Sequence, residues 1–160
     1  MYDVNEINDL TMKTKIAIIL FLTVSLPGMA FNLFSSQEQK DPWTPQQLLN
    51  PAELAKMLNN PKLPQSYVFS VGPQAVIKGS IDIGPARMKG NLDNLRQQLD
   101  KLSKNALIVI YCGCCPFDRC PNVRPAIELL KNMQFRNYKL LNLPRNIKAD
   151  WIDPGYPVND

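Results

Sequence analysis

The chain has 160 residues, of which 45% are hydrophobic and 20% are charged, enough for one globular domain with a sizeable core and too few for two. The formal charge of +4 comes from basic residues interspersed with acidic ones, so no basic face predicts a nucleic-acid partner. The sequence contains no histidine, which excludes Cys/His nucleophile pairs, Ser/His/Asp triads and histidine metal ligands.

The N-terminal residues have the layout of a secretory signal peptide. Two lysines follow Met12, an apolar run extends from Ile16 to Leu26, and the small residue Ala30 ends a plausible cleavage site. The apolar run is shorter than the ~20 residues that a membrane-spanning helix needs. We therefore predict a signal peptide at residues 1–30, with Met12 as an alternative start, and export to the periplasm or the extracellular space. The membrane would be contacted only through this segment, if it stays uncleaved.

The folded domain is predicted at residues 50–160, after a linker at residues 31–49 that contains a polar, proline-bearing stretch. Asn50 is a suitable N-cap, and Pro51 suits the first position of a helix because its fixed φ is already helical and it has no N–H to satisfy. Leucine and methionine follow at helical spacing, which predicts a helix over residues 51–59.

Further along the chain, apolar and β-branched runs indicate strands, and apolar residues three or four positions apart indicate helices. In chain order these elements are a strand at 67–71, a short strand or extended loop at 78–84, a helix at 91–102, a strand at 106–111, a helix containing 126–133 and a strand at 138–143. This alternation predicts an α/β domain with a mainly parallel central sheet flanked by helices.

All four cysteines follow the apolar strand at 106–111, in the loop YCGCCPFDRCPN at residues 111–122. Ligands of parallel sheets bind at the carboxyl ends of the strands, so Cys112 lies where an active site is expected. A structural disulfide is one interpretation, but a bond from Cys115 to Cys120 would close too short a loop to stabilise the fold much. Zinc or cuprous copper is a second interpretation, but structural zinc normally takes two separated pairs of ligands, so we predict no metal or other cofactor.

A nucleophilic cysteine is the third interpretation. A loop between a buried strand and a helix can turn its backbone N–H groups inward and form an anion cradle with the helix N-terminus. Such a cradle favours a thiolate and lowers the pKa of a cysteine, as a nucleophile needs when histidine is absent. Arg119 and Arg124 would add positive charge for an anionic substrate.

The sequence resembles the rhodanese (sulfurtransferase) family over roughly residues 50–158. The matching pieces are the leading helix with Pro51-Ala52-Glu53-Leu54, the strand at 67–71, Lys78-Gly79-Ser80-Ile81, the strand that ends in Tyr111-Cys112, and the closing stretch from Trp151 to Val158. The family's active loop has an arginine five residues after the nucleophile. Phe117 stands at that position after Cys112, whereas the family spacing is met by Cys114 and Arg119. The loop is also several residues longer than usual.

The resemblance implies that Cys112 attacks a small anionic sulfur donor such as thiosulfate, becomes a persulfide, and passes the sulfur to cyanide or to a thiol of a small molecule or protein. Cys112 is preferred to Cys114 because the strand end fixes its position. The other cysteines could resolve a persulfide or sulfenic acid. The candidate catalytic residues are Cys112, Cys114, Cys115 and Cys120, and the candidate substrate-binding residues are Gly113, Phe117, Arg119 and Arg124.

Two other functions stay open at this stage. A non-catalytic rhodanese-like module would use the four cysteines for thiol–redox chemistry or to bind a metal. A phosphatase of the related fold would use the spacing of Cys114 and Arg119, and would hydrolyse an aryl phosphate. Neither the sulfur donor nor the acceptor follows from the sequence.

Overall fold

The structure, a computed structural model, describes residues 41–160. The predicted signal peptide at 1–30 and the first ten residues of the predicted linker, 31–40, lie outside the described residues. Within 41–160, no helix is both long enough and apolar enough to cross a membrane.

Five strands and three helices alternate along the described part of the chain. The strands are Leu48–Leu49 (β1), Ser66–Ser70 (β2), Ile81–Asp82 (β3), Leu107–Tyr111 (β4) and Tyr138–Leu141 (β5), and the helices are Pro51–Asn59 (α1), Lys89–Leu99 (α2) and Val123–Asn132 (α3). Short 3-10 turns occur at Pro45–Gln47 and Phe117–Arg119, and one turn of π-helix at Lys148–Ile152. The predicted alternation of strands and helices is confirmed.

The strands form one parallel sheet in the order β1-β5-β4-β2-β3. This confirms the predicted α/β class with a parallel sheet flanked by helices. β4 lies at the centre, where Val109 is paired with Val68 of β2 on one side and Lys139 of β5 on the other. A strand in this place is covered on both faces, which is why its sequence is a continuous apolar run.

Side chains of β4 alternate between two cores, as the two-residue period of a strand requires. Ile108 and Ile110 belong to the core that also contains buried residues of α2 and α3, and Cys112 continues their alternation into that core. Val109 and Tyr111 belong to the core on the other face, with α1 and Trp151. The Cys112 side chain therefore lies on the face of the sheet that α2 and α3 cover.

The residues at the start of α1 predict its bounds correctly. The Asn50 side chain accepts a hydrogen bond of 2.9 Å from the Ala52 N–H, and Pro51 occupies the first helical position. The observed range Pro51–Asn59 equals the predicted one.

The linker predicted for residues 31–49 does not extend to residue 49. Leu48 and Leu49 form β1, which pairs with Leu140 and Leu141 at the edge of the sheet, and Trp43 is buried with only 8% of its surface exposed. A strand of two residues has too little pattern to be recognised in a sequence, because its partner β5 rather than its own residues specifies it. The folded domain therefore includes residues 43–49.

Candidate functional site

Cys112 is the first residue after the central strand and its side chain is buried, with 2% exposed. Its sulfur lies against the backbone that follows β2: a Cβ atom placed on Gly72 would be 3.0 Å from Cys112 Sγ. The two strand ends are joined there, since the Val71 N–H donates a hydrogen bond of 2.9 Å to the Tyr111 carbonyl. A side chain at residue 72 would occupy the space that the sulfur needs.

The loop after Cys112 is fastened to the chain that follows β5. The Gly113 carbonyl accepts a hydrogen bond of 2.9 Å from the Ile147 N–H, and a Cβ on Gly113 would lie 2.7 Å from Ile147 Cβ. Further on, the Phe117 N–H donates to the Leu143 carbonyl at 3.2 Å. Gly113, predicted to bind substrate, is therefore also required for this close packing.

The loop gathers all four predicted cysteines at one point. The Sγ atoms of Cys112, Cys114, Cys115 and Cys120 all lie within 4.8 Å of one another. Cys112 and Cys114 are separated by 3.3 Å between sulfurs, and Cys114 and Cys115 by 3.4 Å, and all four are free thiols. Cys112 and Cys120 are buried, Cys115 is half-buried and Cys114 is exposed. We call these four sulfurs the cysteine cluster.

Hydrogen bonds in the cysteine cluster favour one thiolate. They lower the pKa of the Cys112 thiol from 9.0 to about 5. The largest cause is the hydrogen bond from the Cys120 thiol, which outweighs the opposing effect of burial, and the Cys114 N–H, the Asn122 amide and the Cys114 thiol add to it.

The neighbouring thiols shift in the opposite direction. Burial and the hydrogen bonds with Cys112 and Cys115 raise the pKa of Cys114 to about 12. The hydrogen bond to Cys112, followed by burial, raises the pKa of Cys120. These opposite pKa shifts favour a thiolate on Cys112 over one on Cys114 or Cys120.

Asn122 is a residue of the site that the sequence did not reveal. Its Nδ2 donates to Cys112 Sγ at 3.6 Å, and its Oδ1 accepts from the Arg87 N–H at 3.3 Å. An asparagine directly before a helix normally caps it, but here the side chain makes no capping hydrogen bond to α3 and is buried, 4% exposed. The sequence offered one signal for it, which is its place as the last residue of the cysteine-containing loop at 111–122.

The two arginines predicted to assist an anionic substrate are placed differently from the cysteines. Arg124 donates to Asp41 Oδ1 at 2.6 Å and to the Asp118 carbonyl at 3.3 Å, and its guanidinium lies 5.1 Å from the ring centroid of Trp43. Arg119 is exposed at the end of the 3-10 turn. Within residues 41–160, neither arginine hydrogen-bonds a cysteine sulfur.

Phe117, which stands where the rhodanese-like resemblance places an arginine, is an apolar anchor of the loop. Its ring centroid lies 6.0 Å from that of Trp43, at an angle of 59°. The side chain packs against the core that contains Cys112. Phe117 thus holds the loop in place and supplies no charge to the site.

Comparisons with known proteins give no family for this chain. No family model, no curated protein and no solved structure matches it. The resemblance to the rhodanese family stays a prediction from sequence motifs.

Proposed function

We propose that this chain is a sulfurtransferase in which Cys112 takes a sulfur atom from a thiosulfate-like donor and passes it to a thiol or to cyanide. One observation carries this proposal: the Cys112 sulfur lies at the carboxyl end of the central strand, 3.3 Å from the Cys114 sulfur and 3.6 Å from Asn122 Nδ2, which donates to it. The sequence motifs that resemble rhodaneses support the same chemistry.

The first step is nucleophilic substitution at the outer sulfur of thiosulfate. A bond forms between Cys112 Sγ and that sulfur, the bond between the two sulfurs of thiosulfate breaks, and sulfite leaves with the electron pair. The product is a persulfide on Cys112. In the second step an acceptor thiolate or cyanide attacks the outer sulfur of the persulfide, and the Cys112 thiolate leaves. No net oxidation of the protein occurs, so no redox cofactor is needed.

The neighbouring groups have a defined task in both steps. The donors around Cys112 hold its sulfur as the anion that attacks and as the anion that leaves, which is the condition for a nucleophile without a histidine. Cys114 is exposed and 3.3 Å from the Cys112 sulfur, so an incoming donor or acceptor meets it first. The pKa of Cys114 is raised whereas that of Cys112 is lowered, which favours Cys112 over Cys114 as the nucleophile.

The test is to locate the transferred sulfur. The reduced full-length chain is treated with thiosulfate, desalted, weighed intact and mapped by peptide, beside Cys112→Ser and its matched control Cys114→Ser. We expect one added sulfur atom on Cys112, retained in Cys114→Ser and absent from Cys112→Ser. Far-UV circular dichroism confirms that each variant is folded.

Two results would overturn the proposal in different ways. A sulfur atom found on Cys114 would move the nucleophile to the residue whose spacing to Arg119 matches the family. No added sulfur in any form, although iodoacetamide alkylates the cysteines under the same conditions, would reject sulfur transfer from thiosulfate and favour a thiol–redox or metal-binding module.

A further inference from the structure

The cysteine cluster has the dimensions of a single metal site. None of its six sulfur–sulfur separations exceeds 4.8 Å, and two of them are 3.3 and 3.4 Å. A zinc ion bound tetrahedrally with Zn–S bonds of ~2.3 Å requires its sulfurs to lie ~3.8 Å apart. The two shortest separations lie below that value and the upper limit lies above it, so the cysteine cluster has the size of a four-thiolate zinc site.

The fold of the loop allows four ligands from one short segment to surround an ion. Cys112 is fixed by the end of β4, and the 3-10 turn Phe117–Arg119 reverses the chain, with the Cys120 N–H donating to the Phe117 carbonyl at 3.3 Å. That reversal returns the Cys120 sulfur to within 4.8 Å of the Cys112 sulfur. The strand end and the tight turn therefore bring ligands to the ion from two directions, as two separated ligand pairs do in other zinc sites.

The same loop is anchored from outside. Phe117 is held by the Leu143 carbonyl and the Trp43 ring, and Gly113 is held by the Ile147 N–H. Asn122 Nδ2 donates to Cys112 Sγ at 3.6 Å, as hydrogen-bond donors commonly do around metal ligands. Ligands supported in this way are preorganised for an ion.

The geometry points to a thiolate metal site: the four sulfurs of Cys112, Cys114, Cys115 and Cys120 bind one thiophilic closed-shell cation, of which zinc is the best fit to a tetrahedron. A set of four sulfurs with no oxygen or imidazole ligand selects zinc or cuprous copper over magnesium or calcium. Binding displaces the protons of the thiols that are neutral in the free cluster, and these protons go to solvent. An ion held by Cys112 prevents that sulfur from attacking a donor, so the metal-bound and persulfide forms are mutually exclusive.

The inference is tested with Co²⁺ as a spectroscopic probe and Zn²⁺ as its competitor, on the reduced full-length chain without any sulfur donor. We expect one Co²⁺ per chain, with tetrahedral d–d bands and a near-ultraviolet charge-transfer band of the intensity that four thiolates give, and complete displacement by one equivalent of Zn²⁺. The sequence has four cysteines and no histidine, so full intensity requires every member of the cluster.

Single serine variants show whether the cluster binds as a unit. In Cys120→Ser and Cys114→Ser the charge-transfer band should lose the share of one thiolate in four, and Zn²⁺ affinity should fall roughly tenfold or more. Cys114 is exposed, so its variant is expected to fold and its loss of intensity cannot be assigned to unfolding.

Absence of the cobalt bands, or a band of unchanged intensity in Cys114→Ser or Cys120→Ser, would overturn the metal site. The persulfide experiment is carried out without metal, so the two proposals can fail separately.

Discussion

At the scale of single residues, the position of the Cys112 sulfur depends on a missing side chain. A Cβ on Gly72 would lie 3.0 Å from Cys112 Sγ and 3.3 Å from the Gly113 nitrogen, closer than a methyl group and these atoms normally approach. The residue acts on the site from 40 positions away in the sequence, through the pairing of β2 with β4. No pattern around Gly72 itself signals this contact.

Gly72→Ala should therefore destabilise the protein by about 1–3 kcal/mol, because the added methyl group overpacks the strand ends. The matched control is Gly90→Ala, at a helical position of α2 where an added Cβ has no neighbour within 4 Å, and where alanine should raise stability by up to about 1 kcal/mol. Urea unfolding of both variants measures the difference. Equal unfolding free energies for the two would show that the space at Gly72 has no structural role.

At the scale of elements, the segment before α1 supports the cysteine loop. Trp43 contacts Phe117, and Arg124 lies over the Trp43 ring while bonding to Asp41, so residues 41–43 pack against the start of α3 and the loop before it. β1 then pairs with β5. A segment that looked like a linker is thus the part of the domain that covers the loop.

Trp43→Ala should lower the unfolding free energy by about 3–5 kcal/mol, since a large buried ring leaves a cavity that the chain cannot fill. The control is Leu63→Ala, a large apolar residue that is 41% exposed and should cost no more than about 0.5 kcal/mol. Chemical denaturation monitored by far-UV circular dichroism compares the two. A cost at Trp43 as small as that at Leu63 would mean that residues 41–49 are the linker that the sequence suggested.

At the scale of the whole molecule, the C-terminal segment closes the face of the sheet opposite the cysteine cluster. Trp151 is fully buried in the core with α1, and its Nε1 donates to the Pro157 carbonyl at 2.9 Å. Asp150 stabilises the turn that precedes Trp151. Its carboxylate accepts hydrogen bonds from the Arg145 N–H and Nε, both at 2.7 Å, and from the Asn146 N–H at 3.1 Å.

Asp150 makes the stability of the domain sensitive to acid. Burial favours the neutral carboxyl, but the hydrogen bonds from Arg145 and Asn146 outweigh it and hold the pKa below 3.8. A carboxyl whose pKa is lower in the folded state contributes stability that is fully present above the unfolded pKa and is lost as the pH falls through the folded pKa. This contribution is therefore complete at pH 7 and disappears in the acid range below about 4.

Asp150→Asn should lower the unfolding free energy by about 1.5–3 kcal/mol at pH 7, the range for hydrogen bonds to a charged group. Its deficit relative to the parent protein should shrink as the pH is lowered toward 3. Asp153→Asn is the control, because its ion pair with Lys148 is exposed and should contribute less than about 1 kcal/mol. Urea titrations at several pH values decide the matter, and a deficit that stays constant with pH would contradict the assignment.

The sequence by itself determined what depends on neighbours along the chain. The cap at Asn50, the proline after it and the apolar spacing predicted α1 to the residue, and continuous apolar runs predicted β2, β4 and β5 within about two residues. Because Cys112 follows β4 directly, the position of Cys112 at the carboxyl end of the sheet was also predictable. These signals are local, and local hydrogen bonding and burial are enough to produce them.

The tertiary structure alone decided what depends on residues far apart in the chain. β1 forms because its residues pair with the edge of β5. The Asn122 side chain bonds to Cys112 instead of capping α3, and the absence of a side chain at Gly72 leaves space for the Cys112 sulfur. The cysteine cluster forms because the Phe117–Arg119 turn reverses the chain and brings the Cys120 sulfur within 4.8 Å of the Cys112 sulfur. The spacing of the cysteines in the sequence argued against a metal site. Whether four sulfurs come close enough to bind one ion is decided by how the strand end and the turn fold in space.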